Sequence, residues 1–177
     1  MKTIAILAMT IFFALEFVQT QAQETKNEVR TERKALIKLE GTKVSELAKT
    51  NFYTDFGNAP DALWKRVDTF DQVTFTKDGK KMTAFYDFDA NLVGTTSLKK
   101  FSDLPAKGQQ EIKAKYKDYT VRTVIFFYDN QANETDMVLY GAQFDDADNY
   151  FVELTKGAEK IVVEVNPSGF VSLFKKL

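Results

Sequence analysis

The residues of this chain that could perform acid or base chemistry are carboxylates, because histidine and cysteine are both absent from its 177 residues. Their absence excludes Ser-His and Cys-His nucleophiles, imidazole bases, His/Cys zinc sites and disulfides. Glycosidases use a pair of carboxyl groups, one as general acid and the other as base or nucleophile. Glu153 and Glu164 are the pair to test, since strand alternation turns both away from the apolar positions of their segments. Ordinary exposure on a solvated sheet face is the alternative, and no catalytic residue is assigned.

Two acidic segments invite a metal interpretation. Residues 87–91 (DFDAN) open like a calcium loop, but Leu92 replaces the glycine of its sixth position and Leu98 the bidentate glutamate of its twelfth. A turn between strands is expected there. Residues 145–149 (DDADN) could hold a cation weakly, although a solvated loop is the simpler interpretation. No metal site and no cofactor are therefore predicted.

Four aromatic residues are candidates for binding. They have the opposite strand parity from several core residues or lie on strands that are apolar on both sides: Phe85, Tyr128, Tyr140 and Phe151. Aromatic side chains on an open β face give a large contact area at low rotamer cost, as protein-binding surfaces require. The alternative is that helices, a neighbouring strand or another subunit cover them.

The first 22 residues have the pattern of a secretory signal. Lys2 precedes an apolar run of residues 4–15, and a small-x-Ala exit ends at Ala22. A helix of that run would span about 18 Å, short of a bilayer core of roughly 30 Å. Cleavage near Ala22 would release a periplasmic or secreted chain with no stable membrane anchor.

The net charge and the chain length further narrow the possible classes of protein. With 24 basic and 25 acidic residues the net charge is -1, which gives no long-range attraction for nucleic acid. Residues 23–41 are rich in charge and predict a tether with a short helix near 31–40. Residues 42–177 are long enough for one domain with its own core. Residues 133–135 (NET) match the N-glycosylation triplet, but we expect them to form the polar tip of a loop.

Periodicity then predicts the elements that must position these residues. Residues 42–56 carry apolar side chains at helical spacing, and Pro60 leads into a strand in which Trp64 is expected to be buried beside that helix. Asp78 and Gly79 between two alternating runs predict a β-hairpin. A second helix is predicted over 105–116, and further strands over 92–98, 120–128, 137–144, 150–154, 161–165 and 171–173.

This order predicts an α+β fold. Helix-then-strands occurs twice, over about 42–101 and 102–177, which suggests a tandem repeat of a helix plus an antiparallel β-meander. The two repeats would form one curved sheet with the helices on one face.

The pattern resembles the PepSY-like, beta-lactamase-inhibitor-protein-like family of exported bacterial proteins. The resemblance rests on the Trp64 strand, the hairpin at Asp78-Gly79, the Tyr86-Asp87 strand end and the Pro105 helix start, and it extends from about residue 44 onward. It implies one curved antiparallel sheet with an open face, in a class of protein-binding or peptidase-modulating modules.

The sequence therefore favours a non-catalytic exported module that engages a protein or peptide through the open sheet face. A carboxylate-dependent hydrolase is one alternative, and it requires Glu153 and Glu164 to lie in one cleft. A small-ligand carrier is the other, and it requires an apolar cavity of roughly 300 Å³ or more.

Overall fold

Each of the two helices precedes a run of strands, as the periodicity of the sequence predicts. The computed structural model describes residues 43–145 and 147–177. The predicted signal segment, its cleavage site and the tether over 23–41 lie outside the described residues. The elements are α1 (Glu46–Phe56), β1 (Leu63–Val67), β2 (Phe70–Lys77), β3 (Lys80–Tyr86), β4 (Leu92–Lys99), a 3₁₀ turn (Phe101–Asp103), α2 (Ala106–Lys115), β5 (Thr120–Asp129), β6 (Val138–Leu139), β7 (Ala142–Gln143), β8 (Asn149–Lys156), β9 (Glu159–Val165) and β10 (Val171–Lys176).

Eight of these strands form one antiparallel sheet in the order β1-β2-β3-β4-β5-β8-β9-β10. Strands β6 and β7 leave it and pair with each other. A single strand was expected over 137–144. Instead Tyr140 and Gly141 both adopt positive φ, 52° and 66°, which turns the chain back on itself.

Helix α1 is shorter than its periodicity suggests because Ser45 caps it. Ser45 is extended, and its side chain accepts hydrogen bonds from the backbone N–H groups of Leu47 and Ala48. The helix ends at Gly57, whose φ of 78° is one that glycine adopts without strain.

Helix α1 packs on β1 and β2 through aromatic rings. The ring centroid of Phe52 lies 4.8 Å from that of Phe75 and 5.4 Å from that of Trp64, both in edge-to-face geometry. Trp64 lies beside the helix and is largely covered, as expected, with part of the indole accessible. Its strand β1 is at the edge of the sheet, so neighbours cover it from fewer directions.

Helix α2 lies against the other half of the sheet. A Cβ built on Gly108 would lie 2.7 Å from Cγ1 of Val165, so the absence of a side chain lets the helix approach β9 closely. Ile112 and Leu104 pack here with residues of four strands: Val124, Val152, Leu154, Ile161, Val163, Val165 and Val171.

Strand register places both helices on the same side of the sheet. Ala84, which packs beneath α1, pairs with Thr95, and Thr95 pairs with Tyr128. Tyr128 has the same parity on β5 as Val124, which packs beneath α2. The large antiparallel sheet with two helices confirms the α+β class. The tandem repeat of 42–101 and 102–177 stays a prediction.

Neither helix of the described part is long and apolar enough to cross a membrane.

Candidate binding surface

The side of the sheet opposite the helices is called the far face here. Register assigns Phe85, Phe127 and Phe151 to it, because their alternate neighbours face the helices. This is the face that the sequence predicted to be open.

The segment between β5 and β8 covers a large part of the far face. Phe144 lies 5.1 Å from Phe127 and 4.8 Å from Phe151 between ring centroids, and Met137 beside it is completely buried. This second apolar cluster gives the sheet a core on both sides.

Two polar contacts hold the β6–β7 hairpin against the sheet. The Tyr140 hydroxyl donates to Oε1 of Glu153 at 2.8 Å, and Lys175 Nζ donates to the carbonyl oxygen of Gly141 at 2.9 Å. Burial raises the pKa of Tyr140 well above its usual value, and the bond to the Glu153 carboxylate raises it further. The hydroxyl is therefore a constant donor at physiological pH.

The four aromatic candidates do not share an open surface. The expectation that they are exposed together on one face of the sheet is therefore wrong. Phe85 is 4% exposed and Phe151 is 0% exposed, since the hairpin segment packs over both. Tyr140 belongs to the hairpin itself and is half-buried. Tyr128 is 63% exposed, but it lies on the helix-bearing side. A hairpin that folds back onto its own sheet produces no periodic pattern in the sequence. The burial of these rings could therefore not be predicted from periodicity.

An uncovered region of the far face remains on β1 to β4, and we call it the open patch. Its outer positions are Leu63 and Leu98, with 72% and 65% of their surface exposed. Between them lie half-buried threonines, and Thr74 and Thr83 join their hydroxyls across β2 and β3 at 3.0 Å. Ladder partners and alternation place the following residues in the patch: Leu63, Lys65, Gln72, Thr74, Thr83, Thr96 and Leu98.

A groove of about 250 Å³ separates the open patch from the hairpin. Gln72, Thr74 and Thr83 line it from the sheet, and Val138 and Leu139 line it from the hairpin. One wall is apolar and the other offers hydroxyl and amide groups. This combination suits an inserted loop with mixed side chains.

A second groove, of about 670 Å³, lies between α1 and the loop that follows β5. Its amides are mostly engaged within the chain. Asn51 donates to the carbonyl oxygen of Ala90 at 2.7 Å, and Asn130 donates to that of Leu92 at the same distance. These side chains serve to hold backbone segments together.

Residues 87–91 form a turn, as expected. Oδ1 of Asp87 accepts the backbone N–H groups of Asp89 and Asn91, and its Oδ2 accepts from Asn133 at 2.9 Å. The carboxylate thus already has donors on both oxygens. Asn133 of the glycosylation triplet is half-buried and engaged in this network.

Asp148, from the acidic segment at 145–149, also has a structural role. Oδ1 of Asp148 accepts the backbone N–H of Asp129 at 2.8 Å. Within residues 43–145 and 147–177, no group of three or more potential ligating side chains is placed to hold a metal ion.

Glu153 and Glu164 do lie on one face of neighbouring strands, as predicted from alternation. Glu153 pairs with Val162 and Glu164 with Phe151, so the two glutamates are diagonal neighbours. Glu153 is bound by Tyr140, and burial together with nearby Asp145 raises the pKa of Glu164. Neither glutamate lines either groove.

Solved structures show what this fold is similar to. A BLIP-like protein from Bacteroides fragilis has a TM-score of 0.57 at 16% identity, over 76% of this chain and 87% of its own. A DUF2874 family protein from Bacteroides uniformis has 0.60 at 12%, over 76% and 89%, and a candidate periplasmic protein from Bacteroides eggerthii has 0.60 at 12%, over 76% and 88%. No family model and no curated protein matches the sequence. The BLIP-like part of the predicted resemblance is thus confirmed at the level of the fold, and its PepSY part stays a prediction.

Proposed function

We propose that this chain is an exported, non-catalytic protein-binding module that engages a partner protein through the open patch and the adjoining groove. The observation that carries the proposal is the pair of largely exposed leucines, Leu63 and Leu98, on either side of a threonine floor. Apolar side chains around a polar, hydrogen-bonding centre supply contact area and specificity together.

The similarity of the fold to a BLIP-like protein supports a binding role, and the candidate periplasmic neighbour supports export. Cleavage near Ala22 would deliver the domain of residues 42–177 to the periplasm or the medium. Intact-mass measurement of the exported protein tests this step, because a mature chain that begins at Gln23 has a unique mass.

The hydrolase alternative is not favoured, because Glu153 is bound to the hairpin and neither glutamate lines either of the two grooves described above. The carrier alternative is not favoured either. Both grooves contain polar groups, whereas a carrier of apolar ligands encloses its ligand in an apolar cavity.

Partner capture from the exported fraction, with the purified chain as bait, tests the open patch. We expect Leu63→Ser and Leu98→Ser to reduce recovery of the partner, since each removes a largely exposed apolar contact without disturbing the core. Leu47→Ser is the matched control, because Leu47 is 57% exposed on α1, on the opposite side of the sheet. Equal losses in all three variants, or none in either patch variant, would reject the open patch as the interface.

A further inference from the structure

The helix-bearing side of the sheet presents aromatic rings on β5 and β8, next to the residues of these strands that pack under α2. The Phe126 ring centroid lies 6.2 Å from that of Tyr128 and 4.5 Å from that of Tyr150. Tyr128 is 63% exposed, while Phe126 and Tyr150 are half-buried. The rings of Phe126, Tyr128 and Tyr150 therefore pack together as an aromatic platform, and the Tyr128 ring is its largely exposed part.

Two lysines border this platform and lie over rings. Lys99 Nζ is 5.7 Å from the ring centroid of Phe126, and Lys113 Nζ is 5.7 Å from that of Phe101. Phe101 packs against the core cluster that contains Val124, the ladder partner of Lys99. Both lysines are thus on the same side of the sheet, beside the start of α2. We call Lys99, Phe101, Lys113, Phe126 and Tyr128 the lysine-aromatic surface.

The acidic residues of the segment that contains Lys99 and Lys113 already have partners within the chain. Residues 99–118 contain six lysines and three acidic residues. Asp103 accepts the backbone N–H of Lys100, Glu111 pairs with a lysine of its own helix, and Asp118 pairs with a lysine on β8.

Lys99 and Lys113 differ from these paired groups. Across residues 43–145 and 147–177, no carboxylate lies within ion-pair distance of either ammonium group. In the described part of the chain, the surface therefore carries two ammonium groups without an ion-pair partner, on a chain whose net charge is -1.

We propose that the lysine-aromatic surface is a second docking site, and that it takes an acidic peptide segment with an aromatic side chain. Carboxylates of the segment would meet Lys99 and Lys113, and its ring would pack on Tyr128 and Phe126. Charge complementarity selects the occupant, since an acidic segment gains most from two ammonium groups that lack an ion-pair partner among the described residues. The site is on the opposite side of the sheet from the open patch, so it does not depend on the function proposed above.

Fluorescence anisotropy tests the site with a fluorescein-labelled peptide that carries glutamates and one phenylalanine. A peptide with glutamines in place of the glutamates is the ligand control. We expect the combined Lys99→Gln and Lys113→Gln variant to bind the acidic peptide at least about fivefold more weakly, and salt to weaken binding to the unaltered chain. Tyr128→Ser is expected to weaken binding without altering its salt dependence.

Lys100→Gln combined with Lys117→Gln is the matched control, because it changes the net charge equally at two exposed lysines without ring contacts in the described structure. Equal weakening by this control would overturn the site in favour of diffuse attraction. So would equal binding of the glutamine peptide. Competition by heparin, but not by unlabelled acidic peptide, would replace the peptide with a sulfated polymer and overturn the proposed occupant.

Discussion

The Tyr140 hydroxyl donates a 2.8 Å hydrogen bond to Oε1 of Glu153, and this bond joins the tip of the β6–β7 hairpin to strand β8. Tyr140 keeps a φ of 52°, a left-handed conformation that costs a residue with a side chain roughly 1 to 2 kcal/mol. The hydrogen bond and the buried ring offset that cost. The hairpin in turn covers the rings of Phe85 and Phe151 and forms one wall of the groove.

Tyr140→Phe should destabilise the hairpin more than the sheet. The substitution removes the hydroxyl and leaves a partly buried Glu153 carboxylate without this donor, at a cost of about 1 to 2 kcal/mol. Urea denaturation measures the loss of stability, and hydrogen exchange locates it in residues 137–144. Tyr128→Phe is the control, because its hydroxyl belongs to a side chain that is 63% exposed. Equal changes in both variants would show that the Tyr140 bond does not hold the hairpin.

Glu164 should make the protein less stable at neutral pH than in mild acid. Burial first, and then the nearby Asp145 carboxylate, raise the pKa of Glu164, while a hydrogen bond with Ser172 lowers it in part. A raised carboxyl pKa means that folding takes up a proton. The resulting stabilisation is complete below the unfolded pKa of about 4.3 and is lost as pH rises through the higher folded pKa.

Glu164→Gln should therefore raise Tm at pH 7, with a gain that shrinks towards pH 4. Differential scanning calorimetry across this range measures it. Glu134→Gln changes an exposed carboxylate and should leave the Tm difference flat. A gain for Glu164→Gln that is constant with pH would contradict the proposed linkage.

The sequence contained the local signals for most of this fold, and the differences lie where distant segments meet. Alternation placed Glu153 and Glu164 on one face, and Asp78-Gly79 predicted its hairpin, because both depend on neighbouring residues. The burial of Phe85 could not be foreseen in the same way. It depends on a hairpin more than fifty residues later in the chain, whose turn at Tyr140 and Gly141 divides a segment that alone predicts a single strand. The lysine-aromatic surface could not be predicted from the sequence either, because Lys99 and Lys113 belong to separate elements.

Asp71→Asn should be among the most damaging polar substitutions in the domain. Asp71 and Arg66 form a two-point ion pair at 2.7 Å with side-chain exposures of 0% and 4%, and Asp71 also accepts the backbone N–H of Ser45 at 2.9 Å. Removing the charge leaves a buried guanidinium without its carboxylate, at a cost of about 3 kcal/mol or more.

Chemical denaturation checks this cost. Lys156→Gln breaks the exposed pair with Asp118 and should cost less than about 1 kcal/mol. If the two variants lost similar stability, the Arg66–Asp71 pair would not be the anchor between α1 and the first hairpin that its geometry indicates.

Gly94→Ala should destabilise the protein through a steric clash with a buried ring and a backbone oxygen. A Cβ at this position would lie 2.5 Å from Cζ of Phe127 and 2.6 Å from the backbone oxygen of Tyr128. The ring has little space to move, because Phe144 packs against it and Phe127 is completely buried. Overpacking of this kind costs about 2 to 3 kcal/mol. Phe127→Leu should cost less stability in the Gly94→Ala background than in the unaltered chain, since the smaller side chain relieves the ring contact but leaves the carbonyl of Tyr128 in place. Thermal unfolding of both single variants and of the double variant measures this difference, and a difference as large as the whole cost of Gly94→Ala would show that the ring alone excludes a side chain at position 94.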